Sequence, residues 1–239
     1  MTGLCDLHCH LLHGLDDGAK TLDETLEMAR VLVDLGFSTI APSPHNRPEY
    51  ATRGVALQRL AEVQDELRAA EIPLFLAPNS ENFLLDDRFV SGLGTEEARL
   101  VGKGPFVLVE APYSAPVPML TEMIFRIKLK GITPLLAHPE RCYEFERMGR
   151  AAEAVRAGAC LQLDIGSLIG RYGTRARKVA HALLDENLYT VAATDLHSPR
   201  GARDWVGRAI AELQKRAGEP MFDSLMKRNP QKMLEGHAL

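Results

Sequence analysis

The chain has no apolar run long enough to cross a bilayer; nothing in its 239 residues approaches the roughly eighteen consecutive apolar positions such a span needs. Its first residues show no basic stretch followed by an apolar core and a small-residue cleavage site, so a cytoplasmic protein is expected. Basic blocks are missing and the net charge is −4, which argues against a protein that grips nucleic acid through its phosphates. The four cysteines, Cys5, Cys9, Cys142 and Cys160, form no C-x-x-C pair. That disfavours a structural zinc site or a disulfide scaffold and leaves buried thiols as the reading. A cysteine-dependent phosphatase would need an arginine six residues after its nucleophile; after Cys9 that position is Leu15, and the other three cysteines also fail. No Ser/Gly-rich linker or low-complexity segment divides the chain, so a single domain over residues 1–239 is expected.

What is present is an alternation of short β-rich apolar runs with longer helical patterns. The strand candidates are Leu4–His10, Ser38–His45, Leu74–Glu81, Phe106–Pro112, Thr133–Pro139, Cys160–Ser167 and Thr190–His197. Thr21-Leu-Asp-Glu24 has the form of a capping box. Leu22, Leu26, Ala29, Leu32 and Val33 follow it on one face until Gly36 stops the helix. Residues 54–71, 119–130, 147–158, 173–187 and 201–217 show similar helical patterns. Seven strand–helix units, with no Gly-rich phosphate loop after the first strand, predict an α/β fold: a closed or nearly closed parallel β/α barrel. In such barrels the chemistry sits at the carboxyl ends of the strands.

Titratable residues gather at those ends. Strand candidate one ends in His8 and His10, the second in His45, and the third in Glu81. The fourth carries Glu110, the fifth His138, and the seventh Asp195 and His197. Side chains alternate across a strand, so the H-x-H and D-x-H pairs can each share a face. Asp6 falls on the face of His8 and is a candidate to orient an imidazole, whereas Cys5, Leu7 and Cys9 are expected to face the helical layer. Five of the eight histidines fall at strand ends; His13, His181 and His237 are left over and expected to lie outside the site. In Asp16-Asp17-Gly18, Asp17 is the expected ligand and Asp16 the residue that shapes the turn. Four converging carboxylates, Asp17, Glu81, Glu110 and Asp195, would repel unless cations compensate. Two or three divalent ions would do so, and a multinuclear site suits in-line phosphoryl displacement. Arg141, three residues after His138, can hold a phosphate bidentately; Arg47, close after His45, is a second candidate.

The motifs DLHCH with Asp17-Gly18, SPH, a Glu after the third strand, AHPER and TDLH resemble the PHP (polymerase and histidinol phosphatase) superfamily from residue 6 to 197. The resemblance implies a distorted seven-stranded TIM-like barrel with a trinuclear metal site. Its ligands would be His8, His10, Asp17, His45, Glu81, Glu110, His138, Asp195 and His197. Within that superfamily the chain is most similar to bacterial CpsB/CapC/YwqE-type protein-tyrosine phosphatases. It shares with them DDG after H-x-H, GITPLLAHPER, the run GSLIGRYG and Asn229-Pro230. The resemblance implies manganese or iron as cofactor, with zinc or magnesium also accommodated, and Arg141 as a phosphate-binding residue. It also implies hydrolysis of phosphotyrosine by a metal-activated hydroxide, with Asp17 able to assist as an acid. The expected substrate is a phosphotyrosine protein, a bacterial tyrosine kinase controlling capsule and exopolysaccharide synthesis; a homo-oligomer is compatible with this family. The chain departs from relatives at Asn79-Ser80, at Asp164 where they place Asn, and at Ala202 where they tend to have an arginine, with Arg200 and Arg203 flanking it. The alternatives are a PHP phosphatase for a small ester such as histidinol phosphate, a nuclease of the same superfamily, and a non-catalytic binding module with a degenerate barrel.

Overall fold

The computed structural model describes residues 3–83, 87–95, 99–147 and 149–239. It is an α/β fold in which every strand pair is parallel. The strands are β1 (Leu4–Asp6), β2 (Phe37–Ile40), β3 (His45–Asn46), β4 (Phe75–Leu76), β5 (Glu81–Phe83), β6 (Phe106–Glu110), β7 (Thr133–Ala137), β8 (Cys160–Asp164) and β9 (Val191–Ala193). They form two sheets, ordered β1-β2-β4 and β3-β5-β6-β7-β8-β9.

Among the described residues nine strands stand where seven were expected, because two expected strands are each broken in two. Pro42 and Pro44 separate β2 from β3, and Pro78 separates β4 from β5. Proline has no N–H to give to a ladder. Backbone contacts nevertheless continue across the breaks: the N–H of Ala41 donates to Asp6 O at 2.7 Å, Ser43 to Cys9 O at 2.9 Å, Ala77 to Ile40 O at 2.9 Å and Glu81 to Pro44 O at 3.2 Å. Beyond β1 and β9 the chain pairs again: Asp195 N–H donates to His8 O at 2.8 Å and His10 N–H to Leu196 O at 2.9 Å, around a parallel bridge between Cys9 and Leu196.

The helices are α1 (Leu22–Asp34), α2 (Arg53–Ala69), α3 (Asp87–Gly92), α4 (Leu120–Leu129), α5 (Arg150–Arg156), α6 (Ile165–Leu168), α7 (Gly173–Asp185), α8 (Ala202–Asp223, broken at Gly218, where φ is +69°) and α9 (Asn229–Glu235). In α1, Thr21 Oγ1 accepts from Glu24 N–H at 3.2 Å, while the Glu24 carboxylate takes the N–H of Lys20 at 2.6 Å instead of that of Thr21. The capping pattern thus starts the helix with its reciprocal bond displaced by one residue, and Gly36 at φ +94° ends the segment where a side chain would be strained.

Apolar residues bury in two clusters. The larger joins helix faces, such as Met28, Leu32, Ile124, Ile127, Val206 and Leu213, to strand residues including Val107, Leu161 and Ala192. The smaller is made mostly from strand residues, among them Leu108, Leu135, Ala137 and Val191. Cys5 and Leu7 belong to the smaller cluster and Cys9 to the larger, so the three do not share one outward face as expected. The strand ends at Asp6, and strict alternation does not carry past its end.

Candidate metal centre

The ends of the strands bring the nine expected ligands into one place. Four overlapping groupings have their ligand atoms within 4.8 Å of one another: His10, Asp17, His45 and His197; His8, His138 and Asp195; His8, His10 and Glu81; His45, Glu81 and Glu110. Glu81 is the hub. One oxygen lies 3.0 Å from His138 Nε2, and the other lies 3.3 Å from His8 Nε2 and 3.0 Å from His45 Nδ1. Asp195 Oδ1 stands 3.2 Å from His8 Nε2, and Asp17 Oδ1 stands 3.3 Å from His45 Nε2 and 3.5 Å from His197 Nε2. All nine are buried or half-buried except Asp17, which is exposed at the rim.

The backbone is bent to present two of these groups. His138 and Asp195 have φ of +31° and +51°, a left-handed conformation that non-glycine residues hold only where the surroundings impose it, at about 1–3 kcal/mol each. Gly18 serves the same place differently. A Cβ there would lie 2.3 Å from His10 O, so only glycine lets the Asp16-Asp17 turn close against His10.

Electrostatically the centre is a set of carboxylates sharing protons with imidazoles. Burial works against the charged form of His8, yet Glu81 and Asp195 overcome it and raise its pKa to about 9. His45 is likewise lowered by burial but raised by Asp17 and Glu81, to about 9. Burial opposes ionisation of Glu81 and Asp195 too, but the surrounding imidazoles hold both well below the usual carboxylate range. Hydrogen bonds from His197 and His45 hold Asp17 low as well. Two buried atoms, Asp195 Oδ1 and His45 Nδ1, have no hydrogen bond of acceptable geometry. Orphaned lone pairs beside mixed imidazole and carboxylate donors fit divalent ions, which require the imidazoles neutral and so would release these protons on binding.

The residues behind the ligands differ in part from expectation. Asp6 does not touch an imidazole: it accepts from His8 N–H at 3.0 Å and from Thr194 Oγ1 at 2.6 Å, tying β1 to the chain after β9. The His8 ring is held by Gln162, whose Oε1 lies 2.8 Å from Nδ1. Asp16 does more than shape its turn. Its Oδ2 lies 2.7 Å from His10 Nδ1 and takes His45 N–H at 3.0 Å. Gln162 left a trace in the sequence, a polar residue two before Asp164 on an otherwise apolar strand; Asp16 left none that separates it from Asp17.

Both candidate arginines reach the centre. Arg141 Nη1 donates to Asp164 Oδ2 at 3.0 Å and to Asp195, its Nη2 donates to Tyr113 Oη at 3.1 Å, and the guanidinium lies 4.0 Å from the Tyr172 ring centre. Arg47 pairs with Glu110 and sits 4.4 Å over Phe83. Arg203 instead pairs with Asp34 at the surface, and Arg200 is exposed. His13 lies outside the cluster, 3.4 Å from Thr25 Oγ1, and His181 bonds Leu168 O at 3.1 Å.

A parallel α/β fold with imidazoles and carboxylates gathered at its strand ends defines the class: a metal-dependent hydrolase of the PHP type. Residues 4–235 match the profile of a family described as capsular polysaccharide synthesis, CpsB/CapC, and the chain belongs to that family. It is 30% identical over 222 residues to the tyrosine-protein phosphatase YwqE of Bacillus subtilis (strain 168), covering 91% of this chain and 87% of that one. It is 22% identical over 242 residues to the tyrosine-protein phosphatase CpsB of Streptococcus agalactiae serotype III (strain NEM316), covering 98% and 99%. A crystal structure from a study of YwqE from Bacillus subtilis and CpsB from Streptococcus pneumoniae, described as unique metal-dependent tyrosine phosphatases, superposes with a TM-score of 0.90. That match has 26% identity and covers 98% of this chain and 96% of the other. No helix among the described residues is long and apolar enough to cross a membrane.

Proposed function

We propose that this protein is a metal-dependent protein-tyrosine phosphatase, a single domain whose nine short strands act as seven staves of a distorted barrel. The observation that carries the reading is the convergence of four ligand groupings on Glu81, His8, His10 and His45, with Arg141 at their edge. His8, His10, Asp17, His45, Glu81, Glu110, His138, Asp195 and His197 would hold two or three ions, manganese or iron by family likeness. When bound, such ions supply a nucleophile from water at neutral pH and offset charge on the transferring phosphoryl group.

The chain's own groups do the rest. Arg141 presents a guanidinium fixed by Asp164, Tyr113 and Tyr172, so its fork is set before phosphate arrives, and its charge suits the equatorial oxygens of the transition state. Arg47, paired with Glu110 and buttressed on Phe83, offers a second cation. Asp17 is ionised, which suits a ligand and proton acceptor more than an acid. A tyrosyl leaving group, with pKa about 10, needs less protonation than an alkyl alcohol. Two aromatic rings stand beside the ligands, Tyr113 at 5.6 Å from His138 and Tyr50 at 5.4 Å from His45. They give an aromatic substrate a surface to pack on. By likeness to its relatives, the substrate is a phosphotyrosine protein, a tyrosine kinase of capsule or exopolysaccharide synthesis.

The test is a panel on metal-reconstituted protein: a phosphotyrosine peptide, a phosphoserine peptide and histidinol phosphate. Preference for phosphotyrosine is expected. Preference for histidinol phosphate would move the protein to the small-ester branch, and failure to bind metal would leave a degenerate binding module.

A further inference from the structure

The four ligand groupings differ in chemistry. Three are rich in imidazole, with three, two and two histidines and a single carboxylate each. The fourth, His45 with Glu81 and Glu110, has one imidazole and two carboxylates. Imidazole suits iron and zinc, whereas carboxylate oxygens suit manganese and magnesium.

Glu110 stands apart from the other carboxylates as well. Glu81 lies 3.0 Å from an imidazole nitrogen, Asp195 3.2 Å and Asp17 3.3 Å. Among the described residues Glu110 pairs with no imidazole; its partner is the Arg47 guanidinium. The Glu110 side chain is only 2% exposed. A carboxylate buried so deeply needs positive charge against it, which either an arginine or a divalent ion can supply.

Arg47 is held there by few contacts. Its Nη2 donates to Glu110 and its guanidinium lies 4.4 Å over Phe83, but its Nε is buried with no acceptor. Arg141 is anchored differently, by Asp164, Asp195, Tyr113 and the Tyr172 ring. Asp195 also divides its oxygens: Oδ2 accepts from Arg141, while Oδ1 faces His8 and His10. Arg141 and an ion would thus use different atoms of Asp195, and nothing comparable separates Arg47 from the metal-binding side of Glu110.

We propose that Arg47 competes for Glu110 with the ion of the His45–Glu81–Glu110 grouping, which makes that ion the weakest-held of the centre. The inference rests on the metal-centre reading above. Two cations on one buried carboxylate repel each other strongly, because little water screens them. An ion in this grouping would take the carboxylate from Arg47 and leave the guanidinium in need of another anion. Arg47 thereby ties the number of ions held to the charge offered to a substrate phosphate.

The test is a chelator titration of the manganese-loaded protein, with the ions retained per chain counted by elemental mass spectrometry. One ion should leave the wild type well before the rest. Arg47→Met keeps an unbranched chain against Phe83 without the charge, and this ion should then be held roughly tenfold or more tightly. Arg47→Lys keeps the charge and should stay near the wild type. Glu110→Gln should lose this one ion and keep the others, and adding Arg47→Met to it should change nothing, since the contested carboxylate is gone. Equal retention in the wild type and Arg47→Met would overturn the inference. So would weaker retention in Arg47→Met, because the arginine would then support the ion instead of competing with it. A wild type that retains no manganese at all would overturn the metal-centre reading itself, a result distinct from either.

Discussion

Gln162 Oε1 lies 2.8 Å from His8 Nδ1, and both residues are fully buried. The amide oxygen can only accept, so His8 keeps a proton on Nδ1, and the proton its raised pKa adds sits on Nε2 between Glu81 and Asp195, where a metal ion would displace it. The Gln162 amide is itself held, since its Nε2 donates to Leu163 O at 2.9 Å. Gln162→Leu keeps the volume and frees the ring. Metal affinity should fall roughly 10–100-fold, the usual effect of losing such a partner, measured by competition with a metallochromic chelator. Unchanged affinity would mean that packing alone orients His8.

The double variant His8→Ala, His10→Ala removes two donors shared among three of the ligand groupings. It should lose both bound metal, by elemental analysis, and phosphatase activity. Full activity in this variant would refute the metal chemistry.

Arg141 is fixed on one side by Asp164 and on the other by Tyr172. Arg141→Ala should cut kcat/KM by about 10²–10³ while leaving metal content unchanged. Arg141→Lys should recover little, because an ammonium neither stacks on Tyr172 nor bonds two groups as a planar fork. A lysine variant with full activity would reduce the role to charge alone.

Glu140 is buried beneath the centre, accepting from Tyr189 Oη at 2.9 Å and Asp164 N–H at 2.9 Å. Burial, then the nearby Asp164, lifts its pKa from an ordinary 4.5 to about 8. The folded chain therefore holds this proton more tightly than the unfolded chain does. The stabilisation is full below about pH 4.5 and is lost as pH rises through about 8. Glu140→Gln cannot ionise, so its denaturation free energy should change less than that of the wild type between these limits. Each tenfold difference in proton affinity between the folded and unfolded chains is worth about 1.4 kcal/mol, which makes the expected gap a few kcal/mol. Parallel stability curves for the two proteins would show that Glu140 does not carry the dependence.

Much of the site was legible because its signals are local. H-x-H and D-x-H place two side chains on one face by strand geometry alone, and a histidine or acid at the end of each apolar run repeats the signal along the chain. The helices were legible for the same reason, with Thr21 and Gly36 bounding α1. Strand continuity was misjudged at Pro42, Pro44 and Pro78, where the apolar pattern runs on although the ladder cannot. Cys5 and Leu7 share the smaller, strand-built cluster, so alternation holds between them but on the other face from that expected, and it breaks only before Cys9, past the strand's end at Asp6.

The sequence by itself determined the family, the parallel α/β class and the candidate ligands, since these rest on residue type and short spacing. Only the tertiary structure decided what stands behind the ligands: Gln162 behind His8, Asp16 rather than Asp17 against the Nδ1 of His10, Asp164 against Arg141, and Asp6 on backbone and Thr194. Gln162 and His8 are 154 positions apart. Such a partnership depends on which strands become neighbours and on the phase in which each side chain arrives, and no local period encodes either.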